Sequence, residues 1–145
     1  MKRVLLFAAV LLLVAVLAAA CSVSFSTANI TQAVLAKDVA GDSFEPVDPT
    51  TTFPTDQAVI HLVVSVANAP SETKVKTVWT AVDVGDAAPA NTKIDDAEVT
   101  LDASGNAHFT LSAPTSGAWP PGKYKVEVYL NDKLDRTLEY AVAQE

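Results

Sequence analysis

The sequence predicts an all-β body of two packed antiparallel sheets, about seven short strands in all, behind an N-terminal apolar segment. Three observations carry this expectation. From residue 30 onward, stretch after stretch alternates apolar and polar residues with a period of two, as half-buried strands require. The breakers fall between those stretches, with all eight prolines and all five glycines outside the proposed strands. No segment after the apolar start reads convincingly as a helix.

The first element is an address. Lys2 and Arg3 form a short basic start, and Val4 to Ala20 follows without one charged side chain. A basic n-region, an apolar h-region and small residues at its end make residues 1–20 a secretory signal peptide, helical while it is in place. An uncleaved membrane anchor is the competing reading, but the run is slightly short for a span and rich in alanine at its far end. Cys21, the only cysteine, comes next.

Leu17-Ala18-Ala19-Ala20-Cys21 resembles the lipobox of bacterial lipoproteins. The family prefers leucine three places before the cysteine and tolerates the alanine found here at Ala18, with Leu17 one place earlier. The resemblance covers residues 1–21. It implies that the Cys21 thiol receives a diacylglyceryl group, that the signal peptide is cut before it, and that fatty acyl chains such as palmitate tether the protein. Two or more acyl chains anchor stably where one binds reversibly, at about 0.8 kcal/mol per buried methylene. The expected location is the extracytoplasmic face of a bacterial cell envelope, with the membrane as a partner through the lipid. Ser22 stands where that family carries a sorting residue, and the lack of aspartate there favours outward export.

Removing residues 1–20 from the 145-residue chain leaves 125, enough for one domain with a real core. Without Lys2 and Arg3, eight basic side chains face 17 acidic ones, a formal charge of −9. Such a surface repels nucleic-acid phosphates and anionic head groups, so no nucleic-acid partner is expected and the lipid must bind the membrane unaided. With one cysteine, no disulfide framework is possible despite an oxidising compartment, and stability rests on the core.

Residues 21–27 read as the lipidated cysteine and a brief tether, and residues 28–145 as the domain. Ile30, Val34 and Ala36 alternate with Thr31, Leu35 and Lys37 as a weak first strand. Gly41 to Asp56 carries Pro46, Pro49 and Pro54 and reads as a long crossing connection, with Phe44, Val47 and Phe53 dipping into the core edge. Ala58 to Ala67 is the strongest strand, apolar on both parities as a central strand is, with Ile60, Leu62, Val64 and Val66 on its main face. After a turn at Asn68 to Glu72, Lys74 to Val82 places Val75, Thr77, Trp79 and Ala81 on one face. Asp83 to Thr92 is loop. Ile94 to Leu101 is a moderate strand using Ala97, Val99 and Leu101. Ser104-Gly105-Asn106 is turn chemistry, followed by Ala107, Phe109 and Leu111 on alternate positions. Pro114 to Gly122 is a second loop, holding Trp119. Lys123 to Tyr140 forms a hairpin: Tyr124, Val126 and Val128 lead to Asn131-Asp132, residues that tolerate positive φ, and Leu134, Leu138, Tyr140 and Val142 return.

Trp79 in a middle strand, and Gly122-Lys123-Tyr124-Lys125-Val126 opening the penultimate one, resemble the immunoglobulin-like sandwiches of bacterial envelope proteins. The resemblance spans residues 28–143 and implies a buried tryptophan and a corner tyrosine. It lacks the antibody disulfide and implies a fold, which does not by itself assign a function.

Candidate chemistry is sparse. His61 and His108, the only histidines, fall on the outward parity of their strands and read as two scattered surface residues; a metal pair would require them to be neighbours. Asp83, Asp86, Asp95 and Asp96, with Glu98 and Asp102, crowd one loop and strand. Calcium needs several oxygens at close range, yet the EF-hand spacing is missing, and a solvated acidic edge that discourages strand pairing is the preferred reading. No serine lies in a Gly-x-Ser-x-Gly elbow and no Gly-rich phosphate loop follows a strand, so no enzyme and no cofactor are expected. Trp119-Pro120-Pro121 offers a possible aromatic contact, with a plug at the end of the sandwich preferred. The expected function is a membrane-anchored binding or structural module with a protein or envelope-polymer partner. The alternative is an accessory solute- or calcium-binding lipoprotein using the acidic loop from Asp83 to Asp102.

Overall fold

The computed structural model describes residues 26–144. The expected signal peptide, residues 1–20, and Cys21 lie outside the described residues. Nine strands follow one another: β1 Asn29–Ala40, β2 Glu45–Pro49, β3 Thr52–Pro54, β4 Val59–Ala67, β5 Thr73–Asp83, β6 Thr92–Leu101, β7 Gly105–Ser112, β8 Gly122–Leu130 and β9 Lys133–Ala143. They form a four-stranded sheet in the order β2-β1-β4-β7 and a five-stranded sheet in the order β3-β9-β8-β5-β6. The chain changes sheet after β2, after β3, after β4, after β6 and after β7, so the two sheets are interleaved in sequence and share one core.

The alternation read from the sequence is what closes that core. Ile60, Leu62, Val64 and Val66 of β4 meet Val75, Trp79 and Ala81 of β5, Ala107, Phe109 and Leu111 of β7, and Tyr124, Val126 and Val128 of β8 in one buried cluster. Aromatic rings dominate one end of it. Tyr124 and Tyr140 stack with centroids 5.3 Å apart, and Tyr140 also meets Trp79 and Phe53 edge-on at 6.1 and 5.8 Å. Truncating such a buried ring costs about 3–5 kcal/mol.

Four expectations need correction. The strand count is nine, not about seven, because the proline-rich connection folds into β2 and β3. Pro46, Pro49 and Pro54 thus lie within strands, but both strands are sheet edges, where a missing donor costs nothing. The sheets are not wholly antiparallel either, since β3 pairs in parallel with β9, Phe53 opposite Val142. Phe53 is buried as expected, whereas Phe44 and Val47 are exposed. In β1 the register slips between Ile30 and Gln32 against β4. One extra residue reverses the facing of everything after it. Leu35, rather than Val34, therefore joins Ile30 in the core.

Side chains stitch the loops to this frame. Asn131, at φ 48° in the β8–β9 turn, accepts from the Lys74 amide at 2.9 Å and donates to the Ser26 hydroxyl at 3.1 Å. Arg136 of β9 donates to the Ile30 carbonyl at 2.8 Å and so ties the two sheets together near the start of β1.

Candidate functional site

The outer face of the four-stranded sheet carries the most distinctive grouping of polar side chains. β4 and β7 pair antiparallel, with His61 opposite Thr110, Val63 opposite His108 and Ser65 opposite Asn106. All six share the outward parity. His61 and His108 are diagonal neighbours, a separation that long side chains can bridge. Their rings do so: His61 Nδ1 and His108 Nε2 are 3.0 Å apart, and the ring planes differ by 2°. The expectation of two scattered histidines is overturned, because the pairing of β4 with β7 is set across more than forty residues of sequence.

The turn between β1 and β2 lies over this face. Asn106 donates from Nδ2 to the Ser43 carbonyl at 2.7 Å and accepts from the Ser65 hydroxyl at 2.7 Å, which fixes its amide and the turn together. Phe44, at φ 53°, then stacks on His108 with centroids 4.7 Å apart. Val63 and Ala36 share the outward parity yet are buried, with this hairpin folded back over the face. The covering has an electrostatic effect. Burial, and after it the neighbouring His61, pushes the His108 pKa below its ordinary value, so the neutral ring is favoured. In the pair, one ring donates and the other accepts.

The acidic candidates are not assembled in this way. Asp83 accepts from the Gly85 amide at 3.2 Å, next to a short 3-10 turn at Gly85–Ala87 that holds Asp86. Asp95 and Asp96 lie on the exposed edge strand β6, where Asp95 accepts from the Asp96 amide and Lys93 reaches the Asp96 carboxylate at 2.5 Å. That ammonium holds the Asp96 pKa below the usual carboxylate range. Among the described residues, no group of three or more His, Cys, Asp or Glu side chains converges as metal ligands would.

Trp119 is not an exposed contact. It is 3% exposed, with its indole donating to the Gln57 carbonyl at 2.7 Å and its amide to the Thr55 carbonyl at 2.8 Å. It therefore plugs the end of the sandwich and pins the β7–β8 loop to the β3–β4 connection. Its edge meets Tyr124 at 6.2 Å, and the Tyr124 hydroxyl turns back to the Pro120 carbonyl at 2.5 Å.

These features define a class. A buried tryptophan on β5, a tyrosine at the start of β8 bonded four residues upstream, and the sheets β1-β4-β7 and β9-β8-β5-β6 are those of an immunoglobulin-like sandwich. Leu62 and Val64 of β4 and Val126 of β8 lie in the buried core.

A solved structure agrees on the fold. The chain is similar to an immunoglobulin-like protein from Pseudomonas aeruginosa, with a TM-score of 0.53 at 12% identity over 80% of this chain and 96% of that one. It also matches part of the alkylpurine DNA glycosylase AlkC from Pseudomonas fluorescens, solved on DNA containing an abasic site analog, with a TM-score of 0.48 at 15% identity. That match covers 81% of this chain and 30% of the glycosylase. A beta-D-glucoside glucohydrolase from Trichoderma reesei matches with a TM-score of 0.46 at 16% identity, over 83% of this chain and 19% of the enzyme. This chain thus spans less than a third of either enzyme. No family model and no curated protein matches the chain.

Proposed function

We propose that the protein is a lipid-anchored module of a bacterial cell envelope that binds a protein or polymer partner outside the cytoplasm, without catalysis of its own. The observation that carries this reading is the position of the lone Cys21, directly after an uncharged run and three alanines, and five residues before the described sandwich begins at Ser26. Exported lipoproteins present that arrangement. The charge of −9 after Lys2 and Arg3 are removed supports a lipid tether over a basic membrane-binding patch, and argues against nucleic acid. The sandwich supports a binding or structural role, because its rigid sheets leave faces and loops free for a partner.

Metabolic labelling with a fatty-acid analogue tests the anchor. The native protein takes up label and has a mass that starts at a modified Cys21, while Cys21→Ser takes up none. Label retained by Cys21→Ser, or an intact Met1 with an unmodified sulfur, refutes it. Crosslinking on whole cells then identifies what the module holds.

A further inference from the structure

We propose that His61 and His108 chelate a divalent transition-metal ion on the outer face of the four-stranded sheet. The argument rests on the two rings and is independent of the lipid anchor.

Two imidazole nitrogens bound side by side to one ion, each at about 2.0–2.1 Å, stand about 2.9–3.4 Å apart. His61 Nδ1 and His108 Nε2 are 3.0 Å apart. The two donor atoms already stand at the separation a chelate needs. The donating ring passes the shared proton through solvent to its other nitrogen, both rings turn their lone pairs off the line that joins them, and the ion sits beside that line. The frame holding them is rigid. β4 is paired on both sides, β7 is in register with it, and Phe44 packs against His108. Little ordering entropy then remains to oppose binding. Burial favours the neutral His108 ring, the form a metal requires.

The donor set selects the class of ion. Imidazole suits copper, nickel and zinc, whereas calcium and magnesium require oxygen. Copper(II) binds most tightly in the general order of divalent affinities. With no third His, Cys, Asp or Glu converging on the pair among the described residues, the ion keeps positions open to water or to a donor from a binding partner.

Zinc is the direct probe. Tag-free full-length protein, stripped by a chelator, is titrated with Zn2+ while the histidine ring resonances are followed by NMR, a readout blind to binding at Cys21. Both rings are expected to shift together and saturate at one equivalent. His61→Asn or His108→Asn should weaken binding by at least about tenfold, the range over which metal sites respond to losing a supporting group. The same titration with Cu2+, in a Cys21→Ser background, should show tighter binding than Zn2+. Melting each variant without metal checks that it is folded. Ring resonances unmoved at equimolar Zn2+, or Zn2+ uptake undiminished in the double variant, overturn the proposal and leave the pair as a hydrogen bond alone. The wild-type spectrum decides even if a variant fails to fold.

Discussion

The Tyr124 hydroxyl donates to the Pro120 carbonyl at 2.5 Å, and this bond holds the corner where the β7–β8 loop enters β8. Tyr140 stacks on the same ring, but its hydroxyl is buried with no hydrogen-bond partner among the described residues. Two chemically identical groups in one cluster thus have opposite energetics. A satisfied buried hydroxyl contributes about 1 kcal/mol net, while an unsatisfied one carries a desolvation cost of about 1–3 kcal/mol.

Tyr124→Phe is therefore expected to destabilise the protein by about 1–2 kcal/mol, since it also strips the Pro120 carbonyl of its donor. Tyr140→Phe is expected to be neutral or stabilising, because it removes a polar atom that gains nothing by burial. Chemical denaturation of the two variants checks this. Equal destabilisation by both would show that Tyr140 has a partner in solution.

Gly122 gives a second test. β5 bulges between Ala81 and Asp83 where it pairs with β8, and this brings the Asp83 backbone against Gly122. A Cβ there would collide with the Asp83 carbonyl oxygen and lie 2.9 Å from the Val84 Cα, both backbone atoms that cannot swing aside. Gly122→Ala should cost about 1–3 kcal/mol, the usual penalty of overpacking. Gly105→Ala is the control. Its added Cβ meets nothing within 4 Å, so its midpoint in urea should stay close to that of the wild type.

Facing and pairing were unequally legible in the sequence. Period-two patterns placed Val75, Thr77, Trp79 and Ala81 on one face, and Asn131-Asp132 announced a turn that does take φ 48° and 66°. Those signals are local. The reversal within β1 was hidden, because a bulge is defined against a partner strand and leaves no mark in its own residues. The prolines obscured β2 and β3, since a residue barred from a sheet centre is tolerated at an edge. The histidine pair failed to show for a related reason. Outward parity was readable for His61 and for His108 separately. Their contact depends on which residue of β7 stands opposite Val63, and no local pattern encodes that register.

The histidine pair also makes stability depend on pH in a definite direction. His108 has a folded-state pKa lowered from 6.5 by burial and by His61, the titratable group that faces it. In the unfolded chain the ring takes up a proton near the ordinary value of 6.5. The unfolded state therefore binds more protons in the window below that value, and stability falls as pH drops through it. The loss ends once pH passes below the lowered folded-state pKa, where both states are protonated. Asp96 acts in a separate window. Its pKa is lowered from 3.8 by Lys93, so its contribution is present above that value and is lost only as pH falls through its lowered folded-state pKa. Melting curves in the presence of a chelator should thus show a Tm that is steady above neutrality and declines in mildly acidic buffer. His108→Asn should flatten that decline without altering the loss at strongly acidic pH. A decline that survives in His108→Asn would assign it to another group and remove the electrostatic consequence of laying Phe44 and the β1–β2 turn over this face.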